Sequence, residues 1–252
     1  MKIATHSMMR DVYQPYLIEW LDHHRSIGID HFFIYDNDSI VPISESIKDV
    51  LFNSDITIEL IHGRTSLPDL NVQEESFTKF LSAIQESKLP HYDRVAFIDE
   101  DEFIICENND IKETLKNYIS YPALALSWLM FGSSGLINQT PEPQMKKFIK
   151  RSTRYYEPNT IIKSIVNPYL VKDIINPHAF SYHFGNCVNV NKVPIEGYYA
   201  PPVHQIAWVN HYWVRSREEW LIKLAKGNAW FNKDREQIQF DDLEANCIES
   251  IA

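Results

Sequence analysis

Val95-Ala96-Phe97-Ile98-Asp99-Glu100-Asp101-Glu102-Phe103-Ile104-Ile105 runs four apolar residues into four consecutive acids, then back into apolar residues at once. An unbroken apolar run of this length marks a strand inside a parallel sheet, buried on both faces. The acids then stand where that strand leaves the sheet. In open α/β sheets, ligands collect outside the carboxyl ends of the strands. Asp99 and Asp101 there are able to hold a divalent cation through oxygen ligands, with substrate phosphates completing its shell. The competing reading is a solvated acidic turn that caps a strand edge.

The chain on either side fits an α/β architecture. Lys2 to Ser7 gives a short first strand. Tyr16, Leu17, Trp20, Leu21 and His24 recur at helical spacing and put one face on the core. Pro15 suits the first turn of that helix, and Gly28 its end. His31 to Tyr35 reads as a second strand that exits into the turn formers Asp36-Asn37-Asp38-Ser39. A short helix over Ser44 to Leu51 and a strand over Ile56 to Ile61 follow. A second amphipathic helix over Asn71 to Lys88 carries Phe77, Phe80, Leu81 and Ile84 on one face. Asp93 to Ile98 is the fourth strand. Strand and helix alternate to this point, as parallel sheets with right-handed crossovers do.

Beyond Ile105 the rhythm changes. A helix is expected over Ile111 to Tyr118 and a strand over Ala123 to Phe131, ending in the loop Gly132-Ser133-Ser134-Gly135. Strands are expected over Ile161 to Val166, Cys187 to Val193 and Ile206 to Val214. The segment with Pro168, Pro177, His178 and His183 reads as loop. Ser216 and Glu219 have the spacing of a capping box, opening a helix over Arg217 to Lys226 that ends at Gly227. With no repeat, low-complexity tract or linker, residues 1–252 read as one domain. Its regular half is 1–106 and its irregular half 107–252.

Composition bounds the function. A net charge of −10 argues against a nucleic-acid binder, which needs a surplus of Lys and Arg. Three cysteines, Cys106, Cys187 and Cys247, make neither a disulfide framework nor a zinc site and point to a reducing, cytoplasmic setting. No stretch approaches the roughly 18 apolar residues of a membrane span. Aromatic residues make up 13% of the chain, many in its second half, as in a sugar-stacking surface or an aromatic core. The signatures of P-loop, G-x-S-x-G and H-E-x-x-H enzymes are missing.

Several polar groups compete for roles. Asp36 and Asn37 would share a sheet edge with Asp99 and Asp101, either binding a base or ribose or closing an Asx turn. His211, between Asn210 and Tyr212, is able to offer a neutral imidazole to a cation, as are His178, His183 and His204. His23 and His24 suit packing or the surface. Trp128 with Gly132 to Gly135 combines a stacking aromatic with small polar residues, or is simply a strand followed by a turn. Lys146, Lys147, Lys150, Arg151 and Arg154 form the main basic run, which suits a solvated face.

Taken together these blocks resemble a known family. Glu19-Trp20-Leu21, His24, Ile27-Gly28, His31-Phe32, Ile34-Tyr35-Asp36-Asn37 and Ser39 resemble E-W-L-x-Y-H-x-x-x-G-x-x-H-F-x-I-Y-D-N-x-S. That is the opening of GT-A glycosyltransferases of the family-2-like and family-92 group. Ile98 to Phe103 resembles the group's D-x-D-E-F motif, and Trp128 with Phe131-Gly132-Ser133-Ser134-Gly135 its W-x-x-F-G-S-S-G segment. Lys163-Ser164-Ile165-Val166, Pro168 and His178, then Asn210-His211-Tyr212 and Ser216, resemble its C-terminal blocks. The similarity spans roughly residues 3 to 227.

The resemblance implies a GT-A fold, with a Rossmann-like mixed sheet that binds a nucleotide-sugar in its N-terminal half and an acceptor in its C-terminal half. It implies an inverting hexosyl transfer from a UDP-sugar to a saccharide or glycolipid acceptor, in cell-surface polysaccharide or lipopolysaccharide assembly. The chain would act in the cytoplasm, with peripheral contact at the inner face of the membrane. Mn²⁺ or Mg²⁺ would be held by Asp99, Asp101 and His211, with His178 as the alternative third ligand. Asp11, Asp36, Asn37, Asp99 and Lys163 would meet the nucleotide-sugar. Asp11 stands where the group's K-N-E motif, here Met9-Arg10-Asp11, has its glutamate. Trp128, Phe131, Gly132, Ser133, Ser134 and Gly135 would line the donor and acceptor pocket. Glu157, Glu196 and Asp234 are the open candidates for the base that takes the acceptor proton. A sugar nucleotidyltransferase and a non-catalytic carbohydrate-binding module are the other classes considered. The first usually carries a Gly-rich loop after the first strand, and Ala4 to Asp11 has no glycine.

Overall fold

The computed structural model describes residues 1–50, 55–61, 72–226 and 237–250. Its strands are β1 (Ile3–Met9), β2 (His31–Asn37), β3 (Ile56–Ile61), β4 (Arg94–Phe97), β5 (Glu102–Cys106), β6 (Ala123–Met130), β7 (Lys150–Arg151), β8 (Ile162–Val166), β9 (Val171–Asn176), β10 (Ala179–Tyr182), β11 (Ala207–His211) and β12 (Glu249–Ser250). The helices are α1 (Gln14–Ser26), α2 (Ile43–Ser46), α3 (Val72–Gln85), α4 (Ile111–Lys116), α5 (Gln144–Lys147), α6 (Arg217–Lys226) and α7 (Gln237–Asn246). Eight strands form one sheet in the order β3-β2-β1-β4-β8-β6-β11-β5. The α/β architecture read from the sequence is the one observed, and the alternating first half supplies its parallel block β3-β2-β1-β4.

Side chains leave a strand alternately, so each strand feeds two cores. Phe32 and Ile34 of β2 join Leu17, Trp20 and Leu21 of α1 and Ile111 and Leu115 of α4 on one face. Phe33 and Tyr35 join Phe77, Phe80 and Ile84 of α3 on the other. Both faces are therefore covered, as continuous apolar strands require. At about 1.5–3 kcal/mol per fully buried large side chain, this sandwich dominates the favourable side of folding. The five helix positions read as a core face on α1 are all buried. Gly28 ends α1 in a left-handed turn at φ 105°, donating to Arg25 O while Ile29 donates to His24 O, the paired bonds of a Schellman motif.

The sheet curls, and the acidic stretch is the reason. β4 and β5 are joined by only four residues, Ile98 to Asp101, yet β8, β6 and β11 lie between them. In a flat sheet, four interstrand steps of about 4.8 Å would separate them by about 19 Å. Five residue steps reach at most about 18 Å when fully extended. This segment is turned back on itself, Glu102 N donating to Asp99 O at 3.1 Å. The sheet must therefore wrap around the acids to bring β5 alongside β11. That leaves β5 as an edge strand with free backbone groups, a hazard that proteins usually cover. Here α1 covers it. Trp20 Nε1 donates to Glu102 O (2.9 Å), His23 Nε2 to Ile104 O (2.8 Å), and His24 Nε2 accepts from Ile104 N (3.2 Å). His23 and His24 thus have the packing role expected of them.

Two expectations need correction. Cys187 to Val193 is not a strand. Its alternating valines and asparagines have a strand's period, but Asn189 Oδ1 accepts from Asn191 N and Val193 N, both at 3.0 Å, and closes a turn. The segment read as loop holds the antiparallel pair β9 and β10 instead. Its turn is fixed by Asn176 Oδ1, which accepts from His178 N and Ala179 N. Elsewhere the boundaries shift modestly, and the expected helix over Ser44 to Leu51 is the single turn α2 among the described residues.

Candidate active site

Strand directions decide what meets what. β1, β2, β4, β6 and β11 all point the same way, whereas β8 and β5 run against them. With β3, parallel to β2, one edge of the sheet therefore gathers the carboxyl ends of six strands and the amino ends of two. It brings together Asp99 to Asp101 after β4, Glu102 opening β5, Lys163 at the start of β8, Trp128 near the end of β6 and His211 closing β11. These residues are scattered over more than a hundred positions, and topology alone assembles them.

Each acid meets a cation. Asp99 accepts from Lys163 Nζ at 2.7 Å on Oδ2 and from Gln73 Nε2 at 3.0 Å on Oδ1. Lys163 Nζ also lies 3.3 Å from Glu102. Glu102, fully buried, accepts from Asp99 N at 2.9 Å and so locks the turn. Asp101 is 4% exposed. It accepts from Lys223 Nζ of α6 at 2.6 Å and lies 3.4 Å from His211 Nε2. Lys223 also donates to Trp213 O at 2.7 Å, which pins α6 over the acids. Glu100 faces Arg215 at 3.5 Å, and Arg215 Nε donates to Gln144. The Trp128 ring lies between two imidazoles, 4.3 Å from His211 and 5.2 Å from His178.

Asp101, Glu102 and Glu100 hold their protons very differently. Burial pushes the Asp101 carboxyl up, but Lys223 and His211 outweigh it and hold it well below the usual carboxylate range. Burial pushes Glu102 up to about 8 against the pull of Lys163, with Asp99 and Asp101 adding to the rise. Glu100 is also raised, by burial and by Asp101, against Arg215. Burial pulls Lys163 down, yet Asp99 and Glu102 prevail and raise it above the usual lysine value. His211 is lowered by burial against Asp101, and His178 lies well below its usual value through burial and Lys163. Both imidazoles are neutral at pH 7, the form in which histidine ligates a metal.

A divalent cation fits this arrangement through two protein donors. Asp101 Oδ1 and His211 Nε2 are 3.4 Å apart, within about 0.4 Å of the roughly 3.0 Å between neighbouring ligands in an octahedral shell of about 2.1 Å bonds. No group of three His, Cys, Asp or Glu side chains able to hold a metal occurs among the described residues. Asp99 is committed to Lys163 and Gln73 instead. Three buried polar atoms around the cluster, Glu102 Oε1, His211 Nδ1 and Trp128 Nε1, have no hydrogen-bond partner among the described residues. Buried polar groups are rarely left so.

The other expected site residues divide. Asp36 is buried and spends both oxygens on backbone, accepting from Ser39 N (3.0 Å) and Ile43 N (2.8 Å). Asp11, at φ 49°, accepts from Ile40 N, so the loops after β1 and β2 are tied together; Asn37 closes β2 beside them. Phe131 is fully buried against Tyr212. Gly132 admits Glu244, Ser133 donates to that same carboxylate, and Ser134 accepts from Ile149 N and Lys150 N. Gly135 takes φ 79° to complete the loop. The Gly-Ser loop is thus a junction for α7 and β7, and of that block Trp128 reaches the cluster. Glu157 and Glu196 are exposed, and neither pairs with the cluster among the described residues. Asp234 and Gly227 lie outside the described residues. Sequence reasoning missed Lys223, Arg215 and Gln73. Lys223 left one signal, standing three residues after the buried Trp220 on the inner face of α6.

Comparison with known proteins places the chain. The model of Glycosyltransferase family 92 matches residues 7–243. A glycosyltransferase family 92 protein of Arabidopsis thaliana is 26% identical over 237 residues, covering 89% of this chain and 37% of its own length. One of Oryza sativa subsp. japonica is 30% identical over 172 residues, covering 67% of this chain and 27% of its own. The chain thus spans about a third of the length of the curated relatives it matches. The crystal structure of residues 1–349 of S. aureus TarS superimposes with a TM-score of 0.38 at 16% identity, covering 68% of this chain and 48% of that one. No helix among the described residues is long and apolar enough to cross a membrane.

Proposed function

This chain belongs to glycosyltransferase family 92, and on that premise we propose that it is an inverting, metal-assisted hexosyltransferase of the GT-A type. It takes a UDP-sugar as donor and a saccharide or glycolipid as acceptor. The observation that carries this reading is the single sheet edge on which Asp99, Asp101, Lys163, Trp128 and His211 converge, with three buried polar atoms beside them that have no hydrogen-bond partner among the described residues.

Asp101 and His211 would hold Mn²⁺ or Mg²⁺, which when bound supplies Lewis-acid stabilisation to the departing diphosphate. Such ions are commonly held by one or two side chains plus the substrate's own phosphates, so two protein donors suffice. Lys223, already at Asp101, adds positive charge where the departing diphosphate would develop negative charge. Asp99 has a side chain 31% exposed, the most open of the four acids. Lys163 and Gln73 orient it to accept a hydrogen bond from a ribose or sugar hydroxyl. Trp128, its indole N–H unspent, suits the apolar face of a sugar ring.

Isothermal titration of UDP with and without Mn²⁺ tests the reading. Binding that depends on Mn²⁺ and is lost with a chelator is expected. Absence of UDP and UDP-sugar binding with Mn²⁺ present defeats it.

A further inference from the structure

A second concave surface lies on the far side of Trp128. It is shallow and open to solvent, about 250 Å³, with Arg154 and Tyr155 on one wall and Asn191, Pro202, Val203 and Gln205 on the other. That volume is below the range of drug-sized pockets and suits one or two sugar rings. Both walls are hydrogen-bonded to the carboxyl end of β6. Fully buried Asn159 accepts from Met130 N at 3.0 Å and donates to Thr153 O (2.9 Å) and Arg154 O (3.5 Å), which fixes the backbone beneath Arg154 and Tyr155. On the other wall Val203 N donates to Ser127 Oγ at 3.1 Å, and His204 Nε2 donates to Trp128 O at 2.7 Å. The strand end that presents the Trp128 ring to His211 is therefore hydrogen-bonded to the segments that line this groove.

Its side chains have the chemistry of saccharide recognition. Tyr155 is 87% exposed on a backbone held from behind, a platform for the apolar face of a sugar. The amides of Asn191 and Gln205 are exposed and suit hydroxyl groups. The Arg154 guanidinium has no acidic partner among the described residues, in a chain of net charge −10. A planar guanidinium fork matches a carboxylate or phosphate through paired hydrogen bonds.

We propose that this groove is the acceptor subsite and that it selects a saccharide bearing an anionic group, a carboxylate or a phosphate, through Arg154. The inference rests on the glycosyltransferase reading for its name as acceptor, while the binding it asserts is separable from that reading. Trigalacturonate, its neutral counterpart maltotriose, and glucose 6-phosphate are titrated into the whole chain by saturation-transfer NMR, without UDP or metal. At least one of the two anionic probes is expected to bind about tenfold more tightly than maltotriose. Arg154→Ala should erase that preference, and Tyr155→Ala should weaken all saccharide binding. Which anion responds distinguishes carboxylate from phosphate. A preference that survives Arg154→Ala, or no binding by any of the three probes, overturns the proposal. A parallel UDP titration keeps the two readings apart. Both variants should bind UDP as the wild type does, and loss of UDP binding in the wild type would sink the glycosyltransferase reading without touching the glycan result.

Discussion

Lys163→Met tests how the acidic turn is held. Lys163 is 1% exposed and serves both Asp99 and Glu102. Removing one member of a buried ion pair typically costs about 3–5 kcal/mol because the other charge is stranded. Here Glu102 can escape by keeping its proton. Its folded-state value is already about 8 against the usual 4.5, so at pH 7 it is largely neutral with Lys163 present. The loss at neutral pH then reduces to the partly exposed Asp99 pair, about 1 kcal/mol. The pH dependence carries the test. A carboxyl raised in the folded state contributes stability that is complete below the unfolded value and is lost as pH rises to the folded value. For the wild type that window is pH 4.5 to about 8, with stability falling by up to about 1.4 kcal/mol per pH unit. Lys163 opposes the rise, so Lys163→Met moves the upper limit above 8. Urea unfolding of both proteins at pH 6, 7, 8 and 9 should give a destabilisation of about 1 kcal/mol at pH 6 and 7 that grows by up to about 1.4 kcal/mol between pH 8 and 9. Lys163 stays charged throughout, because Asp99 and Glu102 raise it against burial. In a Glu102→Gln background the growth should vanish. A destabilisation constant from pH 6 to 9, or one that shrinks, refutes the reasoning.

Other variants probe single contacts. Asp101→Asn should abolish Mn²⁺-dependent UDP binding in a calorimeter and cost about 3 kcal/mol in chemical denaturation, because it removes the buried charge that pairs with Lys223; unaltered binding would remove Asp101 from the metal site. Ser216→Ala removes a fully buried cap whose hydroxyl meets Glu219 in the reciprocal pattern expected from the sequence. It should cost about 1 kcal/mol, read from the urea midpoint. Gly132→Ala would place a Cβ 2.5 Å from Glu244 Oε1 and 3.0 Å from Cys247 Cβ. A loss of about 1–3 kcal/mol is expected, and a neutral result would mean that α7 does not pack there.

The sequence made the first half of the fold legible because its strands and helices are encoded by local period. β2 and β4 are unbroken apolar runs, and α1 and α3 place their large residues at helical spacing. Where side chains compete for the backbone, period misleads. Asn189 turns a segment with a strand's alternation, and Asn176 makes a hairpin where prolines suggested loop. The motif Glu19-Trp20-Leu21 with His24 was read as part of a family pattern. Its physical work is to seal the open edge of β5, and Glu19 caps α5 by accepting from Gln144 N and Met145 N. Such a task is invisible until the edge strand is known. On the site, the acids were legible as a cluster, but their partners were not. Lys163, Arg215 and Lys223 reach the acids from 64, 115 and 122 positions away.

Those partners bear on how a metal would enter. Asp99, Glu100 and Asp101 are matched one for one by Lys163, Arg215 and Lys223, while Glu102 keeps its proton near neutrality. The cluster that looks strongly acidic in sequence is thus close to electrically balanced in the fold. A bare dication gains little from a balanced site and must compete with Lys223, 2.6 Å from Asp101. A dication that arrives with a diphosphate brings compensating negative charge, on which Lys223 can act as well. Metal and nucleotide should therefore bind cooperatively, by a coupling of about 1–3 kcal/mol. Titrating Mn²⁺ while following the paramagnetic resonance of the free ion measures this directly. Affinity for Mn²⁺ should rise at least fivefold when UDP is present. Lys223→Met should shrink the difference by strengthening Mn²⁺ binding alone. Equal affinity with and without UDP would show that the acids act as an open metal site and that their lysine partners yield at no cost.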